Sequence, residues 1–366
     1  MNGKKVIIIL IAILVFSPMA AFGQGSILTG AVYVMSNHPE GNEIVVFDRN
    51  FRGRLTPAGS YGTWGLGSGG GIDPLGSQGA LILSRNNRWL FAVNAGSNEI
   101  SVFRVRRHGL KWIGNFDSGG TFPVSLTFYH NLLYVLNAGR DGDGPNITGY
   151  KLNRYGELTP LKGSTRLLGD GGFHQVGFSP YGDALIVTKG DPTGEILVFT
   201  VDEDGLPDTI PTVTPSAGLV PFSFIFDRRG HVLVTEAGSG AVSSYDLQED
   251  NTLEVIDASV QNGNSATCWI AGTWFGTVIT ANTASDNLST YRVKAGNGNL
   301  RLLKDKAALG NKPIDMAVTP NGRYLYVLNA TDGSVGAFRI IPNGTIIHLD
   351  TVIGLPPQFA QGIAAR

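Results

Sequence analysis

Three ionisable residues at comparable points of a repeating chain are of the types that hydrolytic chemistry needs: His174, Lys189 and Glu236. Attack of water on a carbonyl calls for a base, for cations or donors facing the developing oxyanion, and for a group that orients the water. His174 would be the base, Lys189 the cation, and Glu236 the orienting carboxylate, kept ionised by the neighbouring lysine. The plainer alternative is that Lys189 and Glu236 pair and seal a channel mouth, since structural ion pairs commonly mimic active sites. Other chemistry finds less support. Gly65 to Gly70 fits the G-x-G-x-x-G spacing, but no strand–turn–helix context surrounds it, so it is no nucleotide fingerprint. His38, His108, His130, His231 and His348 show no H-E-x-x-H or other close pairing, so neither a metal site nor a cofactor is expected. The single cysteine, Cys268, excludes an internal disulfide and reads as a small buried hydrophobe.

The elements that must position these side chains form a repeat. An apolar strand ending in a small, amide or charged residue recurs as VYVMSN, LFAVNA, LYVLNA, LIVTKG, VLVTEA, VITANT and LYVLNA. Its closing residues are Ser36, Asn94, Asn137, Lys189, Glu236, Asn282 and Asn329, with gaps of 58, 43, 52, 47, 46 and 47. Each copy leads through a turn into a second strand ending in an aromatic, and each is preceded and followed by a further strand. Period-two alternation, Gly, Asn and Pro turns and no helical periodicity imply four antiparallel strands per unit. Seven such units form an all-β, seven-bladed β-propeller. The N-terminal unit lacks an innermost strand, and the C-terminal stretch PPQFAQGIAA (356–365) supplies one, so the C-terminal strand joins blade 1 and closes the ring. The longest connection, residues 60–77, is placed to lid the central opening. Antiparallel order puts the start of each first strand and the end of each second strand on one face, where His174, Lys189 and Glu236 would meet between blades 4 and 5. Asn94, Asn137, Asn282 and Asn329 read first as caps of backbone groups at strand ends, and ligand contact is the weaker alternative.

Composition narrows the function further. Glycine is 50 of 366 residues, charged residues are 16%, and 28 Lys and Arg nearly balance 29 Asp and Glu. Near-neutral charge argues against nucleic-acid and polybasic membrane partners. Residues 1–23 read as a secretory leader: Lys4 and Lys5, an apolar run from Val6 to Phe16, and the small-x-small pattern Ala21-Phe22-Gly23. The apolar run is too short to span a bilayer. Cleavage near Gln24 would leave a propeller of residues 24–366, secreted or periplasmic. Asn146, Asn287, Asn329 and Asn343 fall in N-x-[ST] contexts.

The turns in PIDMAVTPNGRYLYVLNA and FSPYGDALIV, on blades near 49 residues, resemble the seven-bladed lactonase propellers, the 6-phosphogluconolactonase and carboxymuconate cyclase family. The resemblance runs from the leader to the C-terminus. It implies a small lactone hydrolysed or isomerised at the central face. The family's pattern, GPRHxxFxP with a Glu ending the next strand, falls here on Gly172 to Pro180 when anchored on Phe178-Ser179-Pro180. Phe173 then replaces the Pro, His174 the Arg, Gln175 the His and Lys189 the Glu, while Asp315 lies in blade 7 where the histidine would. The resemblance therefore makes His174, Gln175, Lys189 and Glu236 candidate catalytic residues, and Asp315 a candidate ligand contact. With the polar positions altered, a non-catalytic propeller binding a small ligand or a protein partner stands beside the hydrolase.

Overall fold

The second strand of each repeat is apolar along its whole length because both of its faces are covered. Trp89–Asn94, Val232–Glu236, Thr277–Asn282 and Tyr324–Asn329 are buried at every position. Outer strands such as Leu110–Asp117 are largely open to solvent. In the computed structural model, which describes residues 28–366 except 141, 192 and 295, seven antiparallel sheets carry this pattern around one axis. The expected leader with Lys4 and Lys5, and the cleavage expected near Gln24, lie outside the described residues.

Blades 2 to 7 are built from consecutive strands. Blade 4, for example, runs Gly172–Phe178, Ala184–Asp191, Glu195–Thr200 and Thr212–Pro215, and blade 5 runs Pro221–Phe226, Val232–Glu236, Ala241–Leu247 and Leu253–Gln261. Blade 3 carries an extra short strand, Arg166–Leu167, against Asn146 and Ile147. A single 3-10 turn, Thr283–Ser285, is the only helical element among the described residues. In blade 1 the innermost strand is Ile363–Ala365, paired antiparallel with Val32–Val34. The closing strand is shorter than the stretch 356–365 expected: the main chain of Gln358 bonds Ala330 and Gly71 instead, and the Gln361 side chain reaches the connection between blades 1 and 2. Main-chain bonds from Met35 to Gly362 (3.0 Å) and from Arg366 to Ala31 (2.9 Å) complete the closure.

Large side chains fill the wedge between neighbouring sheets. Tyr134 meets Phe178 edge-on between blades 3 and 4, and Phe222 meets Trp269 between blades 5 and 6. The first strand of each blade starts at one face, called the mouth here. Turns joining first to second and third to fourth strands therefore lie on the far face, and second strands return to the mouth.

Candidate functional site

At the mouth the first strands do not run straight. Register shifts interrupt them between Pro123 and Ser125, Phe173 and Gln175, Pro221 and Phe224, Thr267 and Trp269, and Ile314 and Met316. A bulge inserts an unpaired residue and re-aims its side chain. The residues in these gaps are Val124, His174, Phe222 with Ser223, Cys268 and Asp315, one set in each of blades 3 to 7. Asp315 adopts a left-handed φ of 41° there. His174 and Asp315 belong to this ring, as the sequence suggests, and Cys268 occupies the equivalent position. The spacings of 48, 46 and 47 residues along 174, 222, 268 and 315 were a readable sign of it.

The long connection between blades 1 and 2 does more than lid this ring. It enters the opening and bonds to its walls. Ser77 donates Oγ–H to the carbonyl of Val124 in blade 3 (2.7 Å), and its own carbonyl accepts from the Trp269 indole of blade 6 (3.0 Å) and from Gln361 (2.9 Å). Gln78 accepts from the Ile270 amide (3.0 Å), while its amide donates to the His174 carbonyl (3.2 Å) and its carbonyl accepts from Ser125 (2.7 Å). Two consecutive residues that touch blades 3, 4 and 6 and the C-terminal segment can lie only on the axis. Asp73 anchors the segment by accepting from Gln361 Nε2 (2.8 Å) and the Gly76 amide (3.0 Å). Burial pushes the pKa of Asp73 up to about 7, and likewise that of Asp315, where the nearby Asp73 charge adds to the rise. Burial also raises the half-buried Cys268 thiol, with Asp73 adding, so it stays protonated and a poor nucleophile. Asp73, Ser77, Gln78 and Gln361 were not singled out from the sequence, because a long Gly-rich connection carries no periodicity to place its side chains.

His174 is held by this segment. Its Nδ1 lies 2.7 Å from the Gly76 carbonyl, an acceptor only, so Nδ1 carries the proton and Nε2 does not. The ring stacks on Phe222 at 4.3 Å, and burial lowers its pKa, which keeps it neutral. Nε2 packs over Gly190, where a Cβ would approach to 2.4 Å.

The other proposed partners do not gather around His174. Gln175 spans to blade 5, donating to the Phe224 carbonyl (3.0 Å) and accepting from the Phe224 amide (2.8 Å), a two-point clamp between sheets. Lys189 pairs with Glu195 of its own blade at 2.9 Å and holds that carboxyl below its ordinary pKa. Glu236 is fully buried and accepts from Ser216 (2.8 Å) and Tyr245 (3.3 Å). Burial raises its pKa, so it is not the lysine-flanked, ionised carboxylate expected at the mouth. The pairing of Lys189 with Glu236 is likewise corrected: Lys189 has found Glu195 of its own blade, and Glu236 has found Ser216, just past the last strand of blade 4, and Tyr245 of its own.

The strand-end asparagines are also turned inward. Asn94 bonds Ser101 and Asn42, and Asn137 bonds Asn146 and the Ser118 carbonyl. Asn282 bonds Asn287, Ser289 and Asn262, and Asn329 bonds Ser334 and the Asn311 amide. All four are buried. Of the four glycosylation contexts only Asn343 is exposed, since Asn146, Asn287 and Asn329 lie inside these networks. Among the described residues no helix is long and apolar enough to cross a bilayer, and no group of three His, Cys, Asp or Glu is placed to hold a metal.

Seven sheets, each built on four antiparallel strands, a strand from the C-terminus in blade 1 and a ring of bulged residues at one mouth define a closed seven-bladed propeller with an axial site. The chain belongs to the family described as Lactonase, 7-bladed beta-propeller, whose model matches residues 32–173 and 170–352. No curated protein matches it significantly. Among solved structures it is similar to a proposed 6-phosphogluconolactonase from Bacteroides fragilis, with TM-score 0.72 and 16% identity over 92% of this chain and 98% of that one. It is similar also to the periplasmic gluconolactonase of Pseudomonas aeruginosa, with TM-score 0.72 and 18% identity over 90% and 97% of the two chains. At these identities the likeness speaks for the fold alone.

Proposed function

We propose that this lactonase-family propeller is an exported binding protein whose axial site is closed by its own chain rather than kept open for a lactone. The observation that carries this reading is the Ser77–Gln78 segment, bonded to blades 3, 4 and 6 across the opening. Three further facts support it. Gln175 is committed to main-chain bonds, Lys189 to Glu195, and Glu236 to a buried site. Export rests on the leader pattern of residues 1–23.

A second reading, hydrolysis of a small lactone, is favoured by one observation: His174 presents an unprotonated Nε2, the form a general base needs. A panel of five- and six-membered sugar and aromatic lactones separates the two. The expected result is that wild type and His174→Ala both hydrolyse every lactone at the background rate. Turnover by wild type that falls by about 100-fold or more in His174→Ala would establish the hydrolase instead.

A further inference from the structure

On the far face, opposite the mouth, a groove of about 390 Å³ runs between blades 2 and 3. Five cations line it: Arg88, Arg104, Arg106, Lys111 and Arg154, with no carboxylate among the lining residues. Strand order explains the gathering. Arg88 sits in the turn between the first two strands of blade 2, and Arg104, Arg106 and Lys111 flank the hairpin between its third and fourth strands. Arg154 occupies the matching hairpin of blade 3. All these turns open on the same face. Glu99, the one acidic residue between positions 85 and 113, lies at the other end of its strand beside Ser97 and Asn115.

Three of the five cations are held against aromatic rings. The Arg104 guanidinium lies 4.6 Å from the centre of the Trp89 ring, Arg88 lies 5.7 Å from it, and Arg154 lies 4.7 Å from the Tyr155 ring. Gly156 packs on the Trp89 indole, where a Cβ would come within 2.5 Å, and so brings the blade 3 hairpin up to the cations of blade 2. Guanidiniums stacked on rings keep edge N–H groups for an oxyanion, in a planar fork that suits phosphate and carboxylate, although Arg154 spends one on the Tyr155 hydroxyl. None of the five is within 4.0 Å of a carboxylate among the described residues. Arg104 shows the crowding: partial desolvation and then the charges of Arg88 and Arg106 lower its pKa. In a chain of net charge −1, five cations without a carboxylate partner around one small groove concentrate positive charge there, which favours an anion most at low salt.

We propose that this groove binds a compact polyanion, an organic ligand carrying three or more negative charges as clustered phosphates or carboxylates. Its volume lies within the range of small-molecule sites. It is confined to one blade junction of a chain with near-zero net charge, which disfavours a long polymer such as a nucleic acid, whose affinity grows with the number of phosphates neutralised. The site stands whether or not the axis turns over a lactone.

The test is calorimetric titration of the full chain at pH 7.5 and 50 mM KCl with inorganic tripolyphosphate, with citrate and with a long heparin chain. The expected result is one-to-one binding of tripolyphosphate, citrate or both, with the stronger of the two naming the charged group. Arg106→Gln and Lys111→Gln, which take part in no stack, should each weaken that binding about tenfold with an unchanged melting temperature. Lys304→Gln, an exposed cation on blade 6, should leave it unaltered. The proposal is overturned by no binding of either compact anion, by binding of heparin alone, or by equal loss in Lys304→Gln and the groove variants.

Discussion

Glu236 ends the second strand of blade 5 where Asn94, Asn137, Asn282 and Asn329 end those of four other blades. In blades 2 and 6 the asparagine donates to a serine seven residues on, Asn94 to Ser101 and Asn282 to Ser289, each at 2.7 Å. Ser243 stands seven residues after Glu236 and helps hold its carboxyl. The glutamate therefore occupies an amide's place, and its Oε2 has no hydrogen-bond partner. A buried carboxyl can imitate an amide only while protonated, which agrees with its raised pKa. That folded-state pKa lies above the unfolded value, so the contribution is present at low pH and is lost as pH rises through the folded pKa. Glu236→Gln supplies the donor at every pH. It should leave stability unchanged near pH 5 and raise it by about 1 kcal/mol at pH 8, measured by urea unfolding at both values. A loss at both would show that the carboxylate itself is needed. Reading the sequence alone, a charged residue at a strand end invites a catalytic role. The column of asparagines around the ring was the better guide, because equivalent positions in a repeat meet equivalent surroundings.

The segment from Asp73 to Gly79 is the element that distinguishes this mouth, and two carboxyls control how it sits. Asp73 ties the segment to Gln361 and Gly76, and Asp315 faces it from the blade 7 bulge, each with a pKa pushed up to about 7. Both ionise near pH 4 in the unfolded chain. The native state therefore holds the extra protons, and stability from this pair falls as pH rises through about 7. His174 acts with the opposite sign: its lowered pKa makes stability fall as pH drops below about 6.5. Comparing wild type with Asp315→Asn cancels the histidine. The difference in melting temperature, variant minus wild type, should grow by a few degrees, about 3 °C, between pH 6 and pH 8. A difference that stays constant across that range would mean the pair does not titrate there. Little of this element was legible beforehand. Its length, and its place as the widest gap in the repeat, pointed to the mouth, but its bonds to Val124, Trp269 and Ile270 join residues far apart in sequence that only ring closure brings together.

At the scale of the whole ring the reading from sequence and the structure agree on blade number, strand order and closure, and the reason is physical. A second strand covered on both faces must be apolar throughout, so LFAVN, LYVLN and VLVTE announce their positions without reference to distant residues. The axial chemistry had no such local rule, since it depends on which side chains bulges turn inward and on what then fills the space between them. Closure makes one further consequence measurable. Ile363–Ala365 satisfies the inner edge of Val32–Val34, and Arg366 adds its amide to the Ala31 carbonyl and its own carbonyl to the Arg49 guanidinium at 3.0 Å. Deleting residues 363–366 leaves those main-chain groups facing the channel without partners and exposes the wedge beside Ile363, which is 5% accessible. Lost burial of about 2 kcal/mol for the isoleucine and about 1–3 kcal/mol for each orphaned group act on every blade, because an opened ring has two free seams. The truncated chain should melt about 10 °C or more below the full one in thermal scans followed by circular dichroism. A melting temperature equal to that of the full chain would show that blade 1 holds its place with three strands and that the ring does not depend on its last residues.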